Sequence, residues 1–383
     1  MAVSITQFPG DYSFSDNPIT YVFSSTQTAQ ANFSFIVKTY YNDSIVSEDR
    51  VFPESGTSGH IDISPIIKNL LNKPVINNSI YSEAGISGNV KINVTENYGN
   101  PPVNQATLTS TNIPIIKGCL SDRSFIDYQT SPSEYIVTTF GANFMTPLHD
   151  LQTSFKVYKE RNAPFILQGI QGNVAADLTI ELCDSVGVID TFTDTQTYKI
   201  AQINITDSLL ETDCGFDPLD IQAAEYVVVT LENAIFTVYL YDQDCSDYPS
   251  TLQWINEFGS WDSFIFAHNL IKSGDVTERT YTKKFGQWDS SDYIYDLNDS
   301  GNIRVGTQQI DKMTIYTDWI TEDQQHFLTT LYKSPRHFLY LGTDVFNVKL
   351  NSNQFTFAQQ RYEEEVTEAV ELQIVNNNNG ISL

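Results

Sequence analysis

The stretch YVVVTLENAIFTVYLY, residues 226–241, decides the fold class. Tyr226–Leu231 is a continuous run rich in β-branched residues. Glu232-Asn233-Ala234 is a short polar break, and Ile235–Tyr241 resumes the run. Two such runs around a short break predict a β-hairpin buried on at least one side. The same logic extends outward. Leu178, Ile180 and Leu182 alternate, as do Phe33, Phe35 and Val37 within Asn32–Tyr40, and Val90, Ile92 and Val94. Alternation puts one face on a core and the other in water. The expectation is a mainly β protein: tandem antiparallel β-sandwich or barrel domains with a few short helices.

Composition agrees. Aromatics are 13% of the 383 residues while charged residues are only 18%, which suits β-rich packing and not a helical bundle. The formal net charge of −26 repels phosphate backbones and anionic lipid, so neither nucleic acid nor membrane is expected as a partner. The densest basic spot is the doublet Lys283-Lys284. The first residues, MAVSITQFPGDYSFSD, lack a basic and an apolar region, so no secretory signal is expected, and no apolar run approaches the ~18 residues of a membrane span.

Three domains are expected: 1–117, an N-terminal β-sandwich; 118–270, a central β domain; and 271–383, a C-terminal α+β domain. A helical insert interrupts the first, with Ser64 as its cap, Pro65 in its first turn, and Ile66, Ile67, Leu70 and Leu71 as its apolar stripe. In the third, Thr321 and Gln324 can form a capping box ahead of Phe327, Leu328, Leu331 and Tyr332, and Ser334-Pro335 ends the helix.

The candidate site is the ring-dense stretch LQWINEFGSWDSFIF, residues 252–266. Trp254, Phe258 and Trp261 are spaced four and three, as on one face of a turn. Phe264 and Phe266 are spaced two, as on one face of a strand. An inward orientation explains all five rings at once, so Trp254, Phe258, Trp261 and Phe264 are expected as structural or interface anchors. A sugar platform would instead need these rings exposed on one plane.

No catalytic, cofactor-binding or metal site is expected. Asp242, Asp244 and Asp247, and Asp289, Asp292 and Asp296, are carboxylate groups of the kind calcium favours, but neither follows the spacing of a calcium loop. The five histidines are scattered. Cys119, Cys183, Cys214 and Cys245 form no C-x-x-C pair and are read as buried or free thiols, with a disulfide or metal ligation as alternatives. Glycine-rich phosphate loops and nucleophile elbows are missing from the sequence, so the chain is read as a non-enzyme.

Three stretches together resemble structural proteins of tailed bacteriophages that infect Bacteroidetes. They are the opening ITQFPGDYSFSDNPITYVF (5–23), the element WINEFGSWDSFIF (254–266) and the late segment ITEDQQHFLTTLYKSPRHFLYL (320–341). The central element resembles an N-x-x-G-x-x-D-x-F pattern carried by Asn256, Gly259, Asp262 and Phe264. It departs from that pattern in having Gly259-Ser260 where a Gly-Gly is usual. The resemblance implies a virion component of the tail or its tip, assembled in the host cytoplasm as a homo-oligomeric ring that docks other tail proteins. It transfers no catalytic residues. The rival expectations are a carbohydrate-binding adhesin, whose partner would be host-surface glycan, and a glycan-cleaving tail enzyme.

Overall fold

The structure is a computed structural model. It describes residues 3–10, 12–54, 56–72, 76, 79–130, 143–144, 146, 155–158, 165–170, 176–196, 200–231, 234–241, 250–267, 269–288, 290–295, 301–342, 344–351, 365–375 and 380–382. The protein is mainly β, with several sheets built largely from antiparallel pairs and arranged as sandwich-like layers. The described helices are short: Ser64–Ile67, Asp122–Thr130, Asp207–Thr212, Pro218–Ala223 and Glu322–Lys333.

The chain forms two compact units. The first holds Met1–Gln243, Gln253–Phe264 and Lys333–Pro335, and the second holds Asp244–Leu252, Ile265–Tyr332 and Arg336–Leu383. The expected boundary near Gly118 is therefore not a boundary between compact units. The reason is a strand pairing: Tyr81–Glu83 is antiparallel to Ile200–Ile205, matching Tyr81 with Ile203 and Glu83 with Ala201. That ladder ties the presumed first and central domains into one body.

Within the first unit, a six-stranded sheet runs in the order Ser13–Phe14, Ile113–Ile116, Ser87–Gly99, Ser34–Tyr41 and Ser44–Val51, with Pro102–Thr109 also paired to Ser87–Gly99. A three-stranded sheet of Val3–Gln7, Thr20–Ser25 and Ser58–Asp62 shares its core. The alternation expected from sequence fills that core: Phe35, Val37, Val90, Ile92 and Val94 meet Tyr21 and Phe23, all fully buried. The ring pairs Phe23–Phe35 and Phe33–Phe35 are edge-on at 4.8 and 4.9 Å. The helical insert is one turn long. Its stripe is Ile67 and Leu71, while Leu70 stays exposed. Asp62 does the work expected of Ser64, accepting from the Ser64 backbone N–H and hydroxyl.

The hairpin expected over residues 226–241 forms. Tyr226–Leu231 and Ala234–Tyr241 pair from Tyr226–Tyr239 to Leu231–Ala234. Val227, Val229 and Leu231 point inward with Phe236, Val238 and Leu240, whereas Ile235 stays exposed. They sit in a five-stranded sheet ordered Phe155–Tyr158, Ala234–Tyr241, Tyr226–Leu231, Ala176–Cys183 and Val188–Gln196. Not every pairing is antiparallel: Phe155–Tyr158 runs parallel to Ala234–Tyr241, and Ile113–Ile116 parallel to Ser13–Phe14.

The second unit is built on a sheet in which His337–Leu341, Asp344–Leu350, Ala369–Ile374, Gly301–Tyr316 and Leu270–Lys283 follow one another, with Gly380–Ser382 on the flank of Gly301–Tyr316. Its helix Glu322–Lys333 starts on the expected capping box. The Thr321 N–H donates to Gln324 Oε1 at 3.1 Å, and the Gln324 N–H donates to Thr321 Oγ1 at 3.3 Å. Phe327, Leu328 and Leu331 are its buried stripe.

Candidate functional site

The segment Gln253–Phe264 belongs to the first unit although it lies far along the chain from most of it. A five-residue turn makes that placement possible. The Asn256 side chain templates it, with Oδ1 accepting from the Phe258 and Ser260 N–H groups, both at 3.0 Å. The Asn256 N–H donates to the Ser260 carbonyl at 2.8 Å, closing the loop. Gly259 has φ +76°, and a Cβ there would lie 1.6 Å from the Lys117 carbonyl oxygen. Gly118 is the matching contact: its Cβ would meet the Glu257 carbonyl at 2.8 Å. Two glycines thus let backbone touch backbone, and the Cys119 N–H donates to the Glu257 carbonyl at 2.7 Å.

The rings follow from that docking. Trp254 and Trp261 are 0% and 1% exposed. Phe258 is buried in a cluster with Phe14, Ile86, Ile116, Leu120, Tyr128 and Ile200, its ring 6.1 Å from that of Phe14. Phe264 is only half-buried. Three of the four anchors expected from sequence, Trp254, Phe258 and Trp261, are therefore buried within this chain. Trp254, Phe258 and Trp261 have no free face to offer a sugar or a neighbour.

The three stretches that carried the resemblance meet here. Residues 116–120 form the shared seat. Ser15 and Asp16 donate backbone N–H groups to the carbonyls of Ile116 and Gly118. Buried Asn17 brackets Leu120, donating to its carbonyl at 2.9 Å and accepting its N–H at 2.7 Å. From the late segment, Ser334 Oγ accepts the Ile255 N–H at 3.0 Å. Asp262 is the chemically unusual member. Burial pushes its carboxyl up to about 7, and Glu257 adds repulsion, against hydrogen bonds with Thr146 and Asn256 that pull it down. Its Oδ2 has no hydrogen-bond partner among the described residues.

A second feature, in the second unit, faces solvent. Leu270–Lys283 and Gly301–Tyr316 pair along their whole length, from Leu270–Ile315 to Lys283–Gly301, with one register shift after Arg279. At ~3.4 Å per residue the paired arm is about 45 Å long. Met313 and Ile315 root it in the sheet beside Leu372 and Val370. Residues 271–282 are exposed on both faces. Gly380–Ser382 covers part of one side, and Leu270–Lys283 is the sheet's edge, its outer side unpaired among the described residues.

The arm ends in a ring cluster. Gln287–Trp288 pairs with Tyr293–Ile294. Phe285 stacks on Tyr295 at 5.2 Å and 30°, and Tyr293 tilts against Tyr295 at the same distance. Gly286, with φ +91°, is the floor beneath them, because a Cβ there would lie 2.3 Å from the Tyr293 ring. Trp288 and Tyr295 remain 67% and 63% exposed. Sequence reasoning missed this cluster. The available signal was five apolar residues, Phe285, Trp288, Tyr293, Ile294 and Tyr295, in a segment otherwise rich in Gly, Ser and Asp.

Cys119, Cys183 and Cys214 are free thiols. Cys245, the carboxylates at 242–247, and Asp289 and Asp296 lie outside the described residues. No group of three or more potential metal ligands occurs among the described residues. No helix among them is long and apolar enough to cross a membrane.

The chain matches no protein-family profile and no curated protein. Among solved structures it is similar to the crystal structure of an ICAM-5 D1–D4 ectodomain fragment, at 9% identity and a TM-score of 0.22, over 79% of this chain and 75% of that one. A score that low bears on neither the fold nor the function of this chain.

Proposed function

We propose that this protein is an assembly subunit that works by contact, as a structural component of a phage tail forming a homo-oligomeric ring or hub and docking other tail proteins. The observation that carries the assembly half is the arm. A fourteen-residue edge strand exposed on both faces over residues 271–282 buries almost nothing there in its own chain. Such an edge is a template for pairing with another chain, and single chains ordinarily shorten or cover it. The ring cluster at the tip is the residue class enriched at interface centres. The tail assignment rests on the three-part sequence resemblance.

Light scattering coupled to gel filtration tests this reading. A discrete oligomer, or the chain recovered within purified particles, is the expected result. A chain that stays monomeric at high concentration and never co-purifies with particles overturns it.

The carbohydrate-binding reading keeps one specific support, now at a different place. Trp254 and Trp261 are buried, but Phe285, Trp288, Tyr293 and Tyr295 present exposed rings. On that reading host glycan changes Trp288 fluorescence, and Trp288→Ala abolishes the change.

A further inference from the structure

We propose that the shaft of the arm adds itself to the open edge of the five-stranded sheet in a second copy of the chain, pairing Leu270–Lys283 against Val188–Gln196. This rests on the assembly reading and names the surface that reading leaves open.

Charge is segregated along the sequence in a way that fits the pairing. In a chain of net charge −26, residues 270–284 and 301–316 hold six Lys or Arg against three Asp or Glu. Two of those acids are already spent within the arm, Asp275 on Lys312 and Glu278 on Arg304. Lys272, Arg279 and Lys284 are exposed and meet no acid among the described residues. By contrast, residues 165–198 contain five Asp or Glu and no Lys or Arg, and residues 200–271 contain twelve and none. Two of these acids, Asp190 and Asp194, lie on Val188–Gln196 itself.

Geometry completes the match. Val188–Gln196 is the terminal strand of its sheet and pairs only with Ala176–Cys183 among the described residues. Val188 and the neighbouring Val186 are exposed. One edge is on a basic strand and the other on an acidic strand; on the acidic one the Thr191 and Thr195 N–H groups donate to the Asp190 and Asp194 carboxylates at 2.7 and 2.8 Å, bonds that an incoming strand would exchange for its own carbonyls, freeing both carboxylates for its basic side chains. Joining them satisfies both ladders and sets opposite charges across the new pair. The two surfaces are different patches, so the contact is head-to-tail and propagates into a ring when the rotation closes.

A charge swap tests it. Arg279→Glu with Lys284→Glu reverses the arm, and Asp190→Lys with Asp194→Lys reverses the sheet edge. Each double variant alone should associate at least about tenfold more weakly than the parent at low salt, because its arm and edge then carry the same sign. Mixing the two variants should restore association, since each arm again meets an edge of opposite sign. Isotope-mixed cross-linking should place the arm and the edge on different chains. Circular dichroism checks that both variants fold. Variants that assemble like the parent, a mixture that fails to recover, or cross-links confined to one chain overturn the pairing while leaving the assembly reading intact. A parent that never assembles, alone or in particles, overturns the assembly reading itself.

Discussion

Gly259 is the residue on which the first unit turns. Any side chain there must take a left-handed φ and enter the Lys117 carbonyl, whose residue is already held by its N–H bond to the Ile86 carbonyl. Gly259→Ala should cost roughly 2–4 kcal/mol, the range of forced strain and lost packing together. Urea unfolding followed by Trp fluorescence reads it, and a change below about 0.5 kcal/mol would show that the docking is dispensable. Asp262 gives a pH signature of definite sign. The unfolded carboxyl titrates near 3.8 and the folded one near 7. Between those values the folded state binds more protons, so stability falls as pH rises, and the penalty is complete above 7. Asp262→Asn should therefore be more stable than the parent at pH 8, by about 2–4 kcal/mol, and no more stable at pH 4. A difference that is constant across pH would remove Asp262 as its source.

At the scale of elements, the capping box is the clearest case of a sequence signal carried intact into structure. Thr321→Ala removes the acceptor for the Gln324 N–H and should lower stability by about 1 kcal/mol, measured by hydrogen exchange in the helix Glu322–Lys333. Protection unchanged in the first helical turn would mean the cap contributes nothing. Strands with one wet face were equally legible, because Phe35, Val37, Val90, Ile92 and Val94 obey a local period of two. Two elements were not. The arm, with the sequence LIKSGDVTERTYTK in its first strand, is wet on both faces, so it has no alternation to read. The placement of Gln253–Phe264 depends on contact between Gly259 and Lys117, residues remote in sequence, and a local pattern cannot record a partner so distant. The inward orientation of Trp254, Phe258 and Trp261 was readable from their spacing. The surface against which they pack was not.

At the scale of the molecule, two units should unfold separately. Trp254 and Trp261 are buried in the first, while Trp288 and Trp319 of the second are largely exposed. The fluorescence red shift therefore reports the first unit, and circular dichroism reports both. The expected result is a fluorescence transition offset from part of the circular dichroism transition, with the Asp262 pH dependence confined to the fluorescence-detected step. Coincident curves at every pH would show one cooperative body. The acid excess acts at this scale too. On the proposed assembly reading it would hold free copies apart through long-range repulsion, and association would depend on the few places where the sign reverses.

The seat shared by Gly118 and Gly259 also sets a timetable for synthesis. At ~5–20 residues per second, roughly seven to twenty-eight seconds separate emergence of the first glycine from emergence of the second. Throughout that interval the nascent amino-terminal layers lack their last partner, and the apolar surface around Phe14 and Ile116 waits uncovered at the ribosome. A polypeptide arranged this way gains from a chaperone that shields that surface until the later segment arrives.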